Sequence, residues 1–166
     1  GEIISEDAGY IDHIDVEYDI LKVAVIERHK NTHHIGLGYI KGYGLKAGAV
    51  ATSISHDSHN IIVVGTNEED MAFAANHIVQ NHGGITVVED GQVKSDVLLA
   101  IAGIMSDDSL VNVNRDLEAA KAAAYALGVS EGIDPFMTLS FMALPVIPTL
   151  RITTRGVFDV GSQRYV

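Results

Sequence analysis

Between residues 54 and 65 the chain reads ISHDSHNIIVVG, and His56, Asp57, Ser58, His59 and Asn60 are consecutive. Two imidazoles, a carboxylate, a hydroxyl and a carboxamide this close together suit either a metal site or acid–base chemistry. The same residue types also cap turns, and here they stand directly before an apolar run. If the segment were extended, His56 and Ser58 would point one way and Asp57 and His59 the other, so only a turn brings them together. A metal site draws three or four protein ligands, and this stretch supplies at most three. No metal site is therefore assigned to the chain from these residues. A second group, ERHKNTHH, carries Arg28, His29, His33 and His34. It reads as a solvated loop in which Arg28 or His29 can face a site.

Composition narrows the chemistry. The chain has 166 residues, no cysteine and a formal net charge of -11. Without cysteine there is no disulfide, thiolate metal ligand or thiol nucleophile, a pattern suited to a cytoplasmic protein. An acidic surface repels phosphate backbones and anionic headgroups, which speaks against nucleic acid and membrane as partners. No apolar stretch approaches the ~18 residues of a spanning helix. The opening GEIISEDAGY has no basic region of the signal-peptide kind. Hydrophobic residues make up 47%, enough for one packed core. All eight histidines fall in the first half and all three prolines near the end. Nothing reads as a linker or repeat, so residues 1–166 are expected to form a single compact domain.

The elements that must position the polar stretch can be read in order. VEYDILKVAVIERH predicts a long strand from Val16 to His29. HIGLGYIKGYGLKAGAVATSIS predicts two strands with glycine bends, and NIIVVG a short buried strand. TNEEDMAFAANHIVQNHGG predicts a helix capped by Asn67, with acids in its first turn. Its apolar stripe is Met71, Ala74, Ala75 and Ile78, and Gly83 and Gly84 end it. GITVVEDGQVKSDVLLA predicts a hairpin turning at Asp90-Gly91. NRDLEAAKAAAYALG predicts a second helix with Leu117, Ala120, Ala124 and Leu127 on one face. DPFMTLSFMALP predicts a third, capped by Asp134 with Pro135 at its first position. TLRITTRGVFDV closes with two strand pieces. The expected class is α+β, with a mixed or largely antiparallel sheet and about three helices.

GLGYIKG comes within one residue of a dinucleotide-binding fingerprint, but no helix opens after it to receive a pyrophosphate. Its glycines are expected to serve bends and close backbone approach.

The stretch IGLGYIKGYGLKAGAVATSISHDSHNIIVVGTNEEDMAFAANHIV closely resembles the C-terminal domain of bacterial and archaeal adenine deaminases, in the amidohydrolase superfamily. GGITVVEDGQV, IAGIMSD and DPFMTLSFMALPVIPTLRITTRGVFDV resemble the same family in the same order. The likeness runs from about Val23 to the end and departs locally at LLAIAGIMS. It implies a longer enzyme whose N-terminal (β/α)8 barrel carries the chemistry, hydrolysis of adenine to hypoxanthine and ammonia. A divalent metal (iron, manganese or zinc) would sit in that barrel, held partly by a His-x-His pair that this chain lacks. In that context His56, Asp57 and His59 are expected to line the barrel mouth. Ser58, Asn60, Arg28 and His29 would support them. The implied partners are the enzyme's own barrel, adenine and further copies in a homo-oligomer. The alternative is a non-catalytic assembly domain that docks barrels or subunits, for which the nearly all-apolar FMTLSFMALP is suited.

Overall fold

A computed structural model describes residues 11–166, so the opening GEIISEDAGY lies outside the described residues. The centre is a six-stranded sheet in the order β2-β1-β4-β3-β5-β6. Its strands are β1 (Leu21–Ile26), β2 (Ile35–Ile40), β3 (Ala49–Thr52), β4 (Ile61–Gly65), β5 (Gly84–Glu89) and β6 (Gln92–Leu98). Every neighbouring pair is antiparallel. With three helices among the described residues the fold is α+β, as expected.

The run Ile61-Ile62-Val63-Val64 is buried throughout because β4 is covered on both faces. Ile61 and Val63 pack with Met71, Ala74, Ala75 and Ile78 of α1 (Glu68–Gln80). Ile62 and Val64 join the larger core on the opposite face. There Ala120 and Ala124 of α2 (Leu110–Ala126) and Phe136 and Leu139 of α3 (Pro135–Met142) cover the sheet. A strand sandwiched in this way shows no alternation in its sequence.

Side chains set the helix boundaries. Asn67 caps α1 by accepting the Asp70 N–H at 2.7 Å. Asp134 caps α3 by accepting from Phe136 and Met137, with Pro135 in the first turn. Helix α2 begins earlier than expected, at Leu110, because Ser109 accepts the Asn112 N–H. Its first two residues are exposed and give no apolar stripe to read, so the pattern surfaces only from Asn114. On its inner face Ala120 and Ala124 are buried, while Leu117 and Leu127 pack partly buried against the core.

The strand expected from Val16 to His29 is shorter. Residues 16–19 form a turn in which the Asp15 carboxylate accepts the Glu17 and Tyr18 N–H groups. Asp19 adopts φ 57 and accepts the Gly42 and Gly44 N–H groups. Aspartates that bind nearby backbone compete with a ladder. The β5–β6 hairpin turns at Asp90-Gly91 as expected, both residues in the left-handed region.

A small sheet of β7 (Leu150–Thr153), β8 (Gly156–Asp159) and β9 (Arg164–Tyr165) packs on β2. The contact is backbone against backbone: a Cβ on Gly36 would stand 1.8 Å from the Thr153 carbonyl oxygen. GLGYIKG is thus strand and sheet contact, the close approach its glycines predicted.

Candidate functional site

The polar stretch is a turn. After β3 the chain passes through Ser53–Ser55, bends at residues 56–58 and enters β4 at Ile61. The His59 N–H donates to the Ser55 carbonyl at 2.6 Å, closing the bend, and His59 adopts φ 50. The opposed arrangement of an extended segment does not occur. His56 and His59 come together instead, their ring centroids 5.7 Å apart. Asp57 and Ser58 are exposed, His56 and His59 half-buried and Asn60 buried.

Three elements hold the turn. The first is the end of β1. Strands β1 and β4 pair with Ile26 opposite Ile61, so two residues further Arg28 meets His59. The Arg28 Nε donates to the His59 carbonyl at 2.5 Å and its backbone N–H to the Asn60 Oδ1 at 3.3 Å. The His29 ring nitrogen Nε2 lies 2.7 Å from the Ser58 carbonyl, within hydrogen-bonding distance. The Asn60 Nδ2 donates to the Ser58 Oγ at 3.1 Å.

The second is the loop after β6. Arg28 Nη2 donates to the Ala102 carbonyl at 2.8 Å. The next residue, Gly103, has φ +74, and a Cβ there would stand 2.6 Å from Arg28 Nη1. Buried Ser53 ties the same loop to the sheet. Its hydroxyl donates to the Gly103 carbonyl at 2.5 Å and accepts the Gly84 N–H at 2.8 Å. The third is α3: the His56 N–H donates to the Ser140 carbonyl, and the His56 ring stacks on Phe141 at 5.4 Å and 20°.

Seven residues selected from sequence therefore cluster: Arg28, His29 and His56 to Asn60. His33 and His34 stay exposed on the β1–β2 loop. Ser53, Gly103, Ser140 and Phe141 carry no such signal in the sequence: Ser53 lies in a stretch predicted as strand, Gly103 lies in IAGIMSD, and Ser140 and Phe141 lie in a predicted apolar helix.

His59 is electrostatically perturbed. Burial lowers its pKa, and the neighbouring His56 and Arg28 lower it further against the opposing pull of Asp57. The ring is therefore neutral near pH 7 and can take up a proton. Its Nδ1 is buried with no hydrogen-bond partner, and so is the Ser55 Oγ. A buried polar atom without a partner costs about 1–3 kcal/mol.

The residues do not complete a metal centre of their own. Among the described residues no group of three or more histidines or acids is placed to hold an ion. Two imidazoles and an exposed aspartate fall short of a closed ligand set.

The family model for the adenine deaminase C-terminal domain matches residues 3–164. The chain is 50% identical over 152 residues, 92% of its length, to an adenine deaminase of Bacillus subtilis (strain 168). It is 51% identical over 91% of its length to one from Listeria monocytogenes serotype 4b (strain F2365). An adenine deaminase of Clostridium acetobutylicum is 49% identical over 92% of the chain. The chain spans about a quarter of these relatives, 26% of the first two and 27% of the third. Matched over nearly its whole length, this chain belongs to the adenine deaminase C-terminal domain family.

Proposed function

We propose that the chain acts as the C-terminal domain of a metal-dependent adenine deaminase and that its 55–60 turn faces the catalytic site. About half-identity to adenine deaminases across 92% of the chain carries the first part of this reading. In the proposed reaction water adds its oxygen to the purine carbon bearing the amino group. The carbon–nitrogen bond breaks, giving hypoxanthine and ammonia. A divalent metal in an N-terminal amidohydrolase barrel supplies an activated hydroxide when bound.

This chain's part is to line the barrel mouth. The clamp of Arg28, Asn60 and the Ala102–Gly103 loop fixes the turn. It leaves His59 neutral, with a half-buried ring whose outer edge can meet substrate, water or a barrel residue. Asp57, exposed beside it, adds a carboxylate that can hold or pass a proton. His56 is steadied by Phe141 and Ser140.

The test is substitution in the full-length enzyme. His59→Ala or Asp57→Ala should each lower turnover more than about tenfold, since positioned proton-transfer groups contribute on the order of a hundredfold or more. Melting temperature should hardly change. Ile62→Ala in the adjoining strand should instead cost roughly 2–5 kcal/mol of stability through lost packing. Full activity in both turn variants would reduce the turn to a cap for β4. The assembly reading is favoured by Met137 and Phe141, which α3 leaves on the surface beside the turn.

A further inference from the structure

The candidate site continues into α3 and beyond. Phe136, Leu139 and Met142 point into the core, whereas Met137 and Phe141, one turn apart, lie outward at 45% and 37% exposure. Two turns then keep the chain close. The Leu144 N–H donates to the Phe141 carbonyl and the Ile147 N–H to the Leu144 carbonyl. Between them Val146 is 72% exposed. Pro145 and Val146 line a groove of about 470 Å³ with Phe158, Val160 and Tyr165. Apolar surface thus follows the chain from the His56–Phe141 stack toward the β8–β9 hairpin. Contiguous surface of this kind, rich in Met and aromatic residues, marks an interface.

We propose that this strip, from Met137 and Phe141 through Val146 into the groove, docks the catalytic domain of the longer protein. The proposal rests on the reading that the chain works within an adenine deaminase. Two observations favour this occupant over a second copy of the chain. First, the chain spans 26% of the Bacillus relative, so about three-quarters of such a polypeptide lies outside this domain and must pack somewhere against it. Second, the strip is continuous with the candidate site. Whatever covers Phe141 also meets His56, whose ring stacks on Phe141 and lies 5.7 Å from that of His59. The partner surface is therefore apolar where it meets Met137, Phe141 and Val146.

The chain's methionines allow a direct test. Hydrogen peroxide oxidation, followed residue by residue by mass spectrometry, is compared between this chain alone and the full-length deaminase. Met71 and Met142, 6% and 9% exposed, serve as protected references in both. Met137 should oxidise readily in the isolated chain and at least about tenfold more slowly in the full-length protein. Equal Met137 rates in the two would overturn the proposal. So would protection in the isolated chain that grows with its concentration, which would assign the strip to a second copy. In the full-length protein Phe141→Ser should restore Met137 reactivity while Met142 stays protected. Oxidation of both would report unfolding, and the milder Phe141→Leu would then serve. Persistent Met137 protection in a folded Phe141→Ser variant would count against docking there. Protection of Met137 in a full-length protein that fails to deaminate adenine would keep the docking surface and reject the activity.

Discussion

Replacing Arg28 with methionine tests the clamp that shapes the turn. The substitution keeps an apolar stem of similar length and removes two charged donors, one to the His59 carbonyl at 2.5 Å and one to the Ala102 carbonyl at 2.8 Å. Hydrogen bonds from a charged group contribute roughly 1.5–3 kcal/mol each when fully shielded. Arg28 is only half-buried, so water can reach the freed carbonyls and the low end applies. The expected loss is about 2–3 kcal/mol, or about 4–12 °C in melting temperature for a chain of this size. Arg28→Lys separates geometry from charge. One ammonium can reach one of the two carbonyls, so about half the loss should remain. Urea and thermal unfolding measure the cost, and amide spectra of His59, Ala102 and Gly103 show whether the turn and the loop part. A loss below about 0.5 kcal/mol with unchanged spectra at those residues would refute the clamp.

Gly103→Ala should destabilise by about 1–3 kcal/mol, from a left-handed backbone and a methyl group against the guanidinium. Paired with Arg28→Met in a double-mutant cycle it should cost less than the sum, because both act on one contact. The Glu27 carboxylate accepts the N–H groups of Thr32, His29 and Lys30 and the Thr32 hydroxyl, which hold its pKa at about 2 against an ordinary 4.5. Order in the β1–β2 loop should therefore be complete above pH 4.5 and vanish as pH falls through about 2, read from the Thr32 amide signal, with Glu27→Gln removing the dependence. For His59 the lowered pKa means that the unfolded chain takes up the proton first. Its contribution is full above the ordinary 6.5 and declines as pH falls below that value, and His59→Ala should flatten this part of the stability–pH curve. The chain alone, with added iron, manganese or zinc, should release no ammonia from adenine in a coupled assay free of host deaminase.

What the sequence determined by itself was local. Asn67 and Asp134 announce helix starts because their side chains bond to amides two or three residues on, and Asp90-Gly91 announces a turn through its backbone preferences. The β4 run betrays a strand covered on both faces, since only a sandwiched strand is apolar without alternation. The same locality misled at Asp15–Asp19, where β-formers lie between aspartates that bind the backbone, and at Leu110, where an exposed first turn carries no stripe. The polar stretch was legible as a cluster of functional side chains, and Arg28 and His29 as its companions. That these seven meet, and how, was decided by the tertiary structure. Antiparallel register slides Arg28 opposite His59, Ser53 and Arg28 draw the Ala102–Gly103 loop in from 50 and 74 residues away, and α3 brings Ser140 and Phe141 beneath His56. None of these contacts has a sequence period. Each depends on strand order and on which face a helix crosses, and those follow from burying both faces of one sheet together.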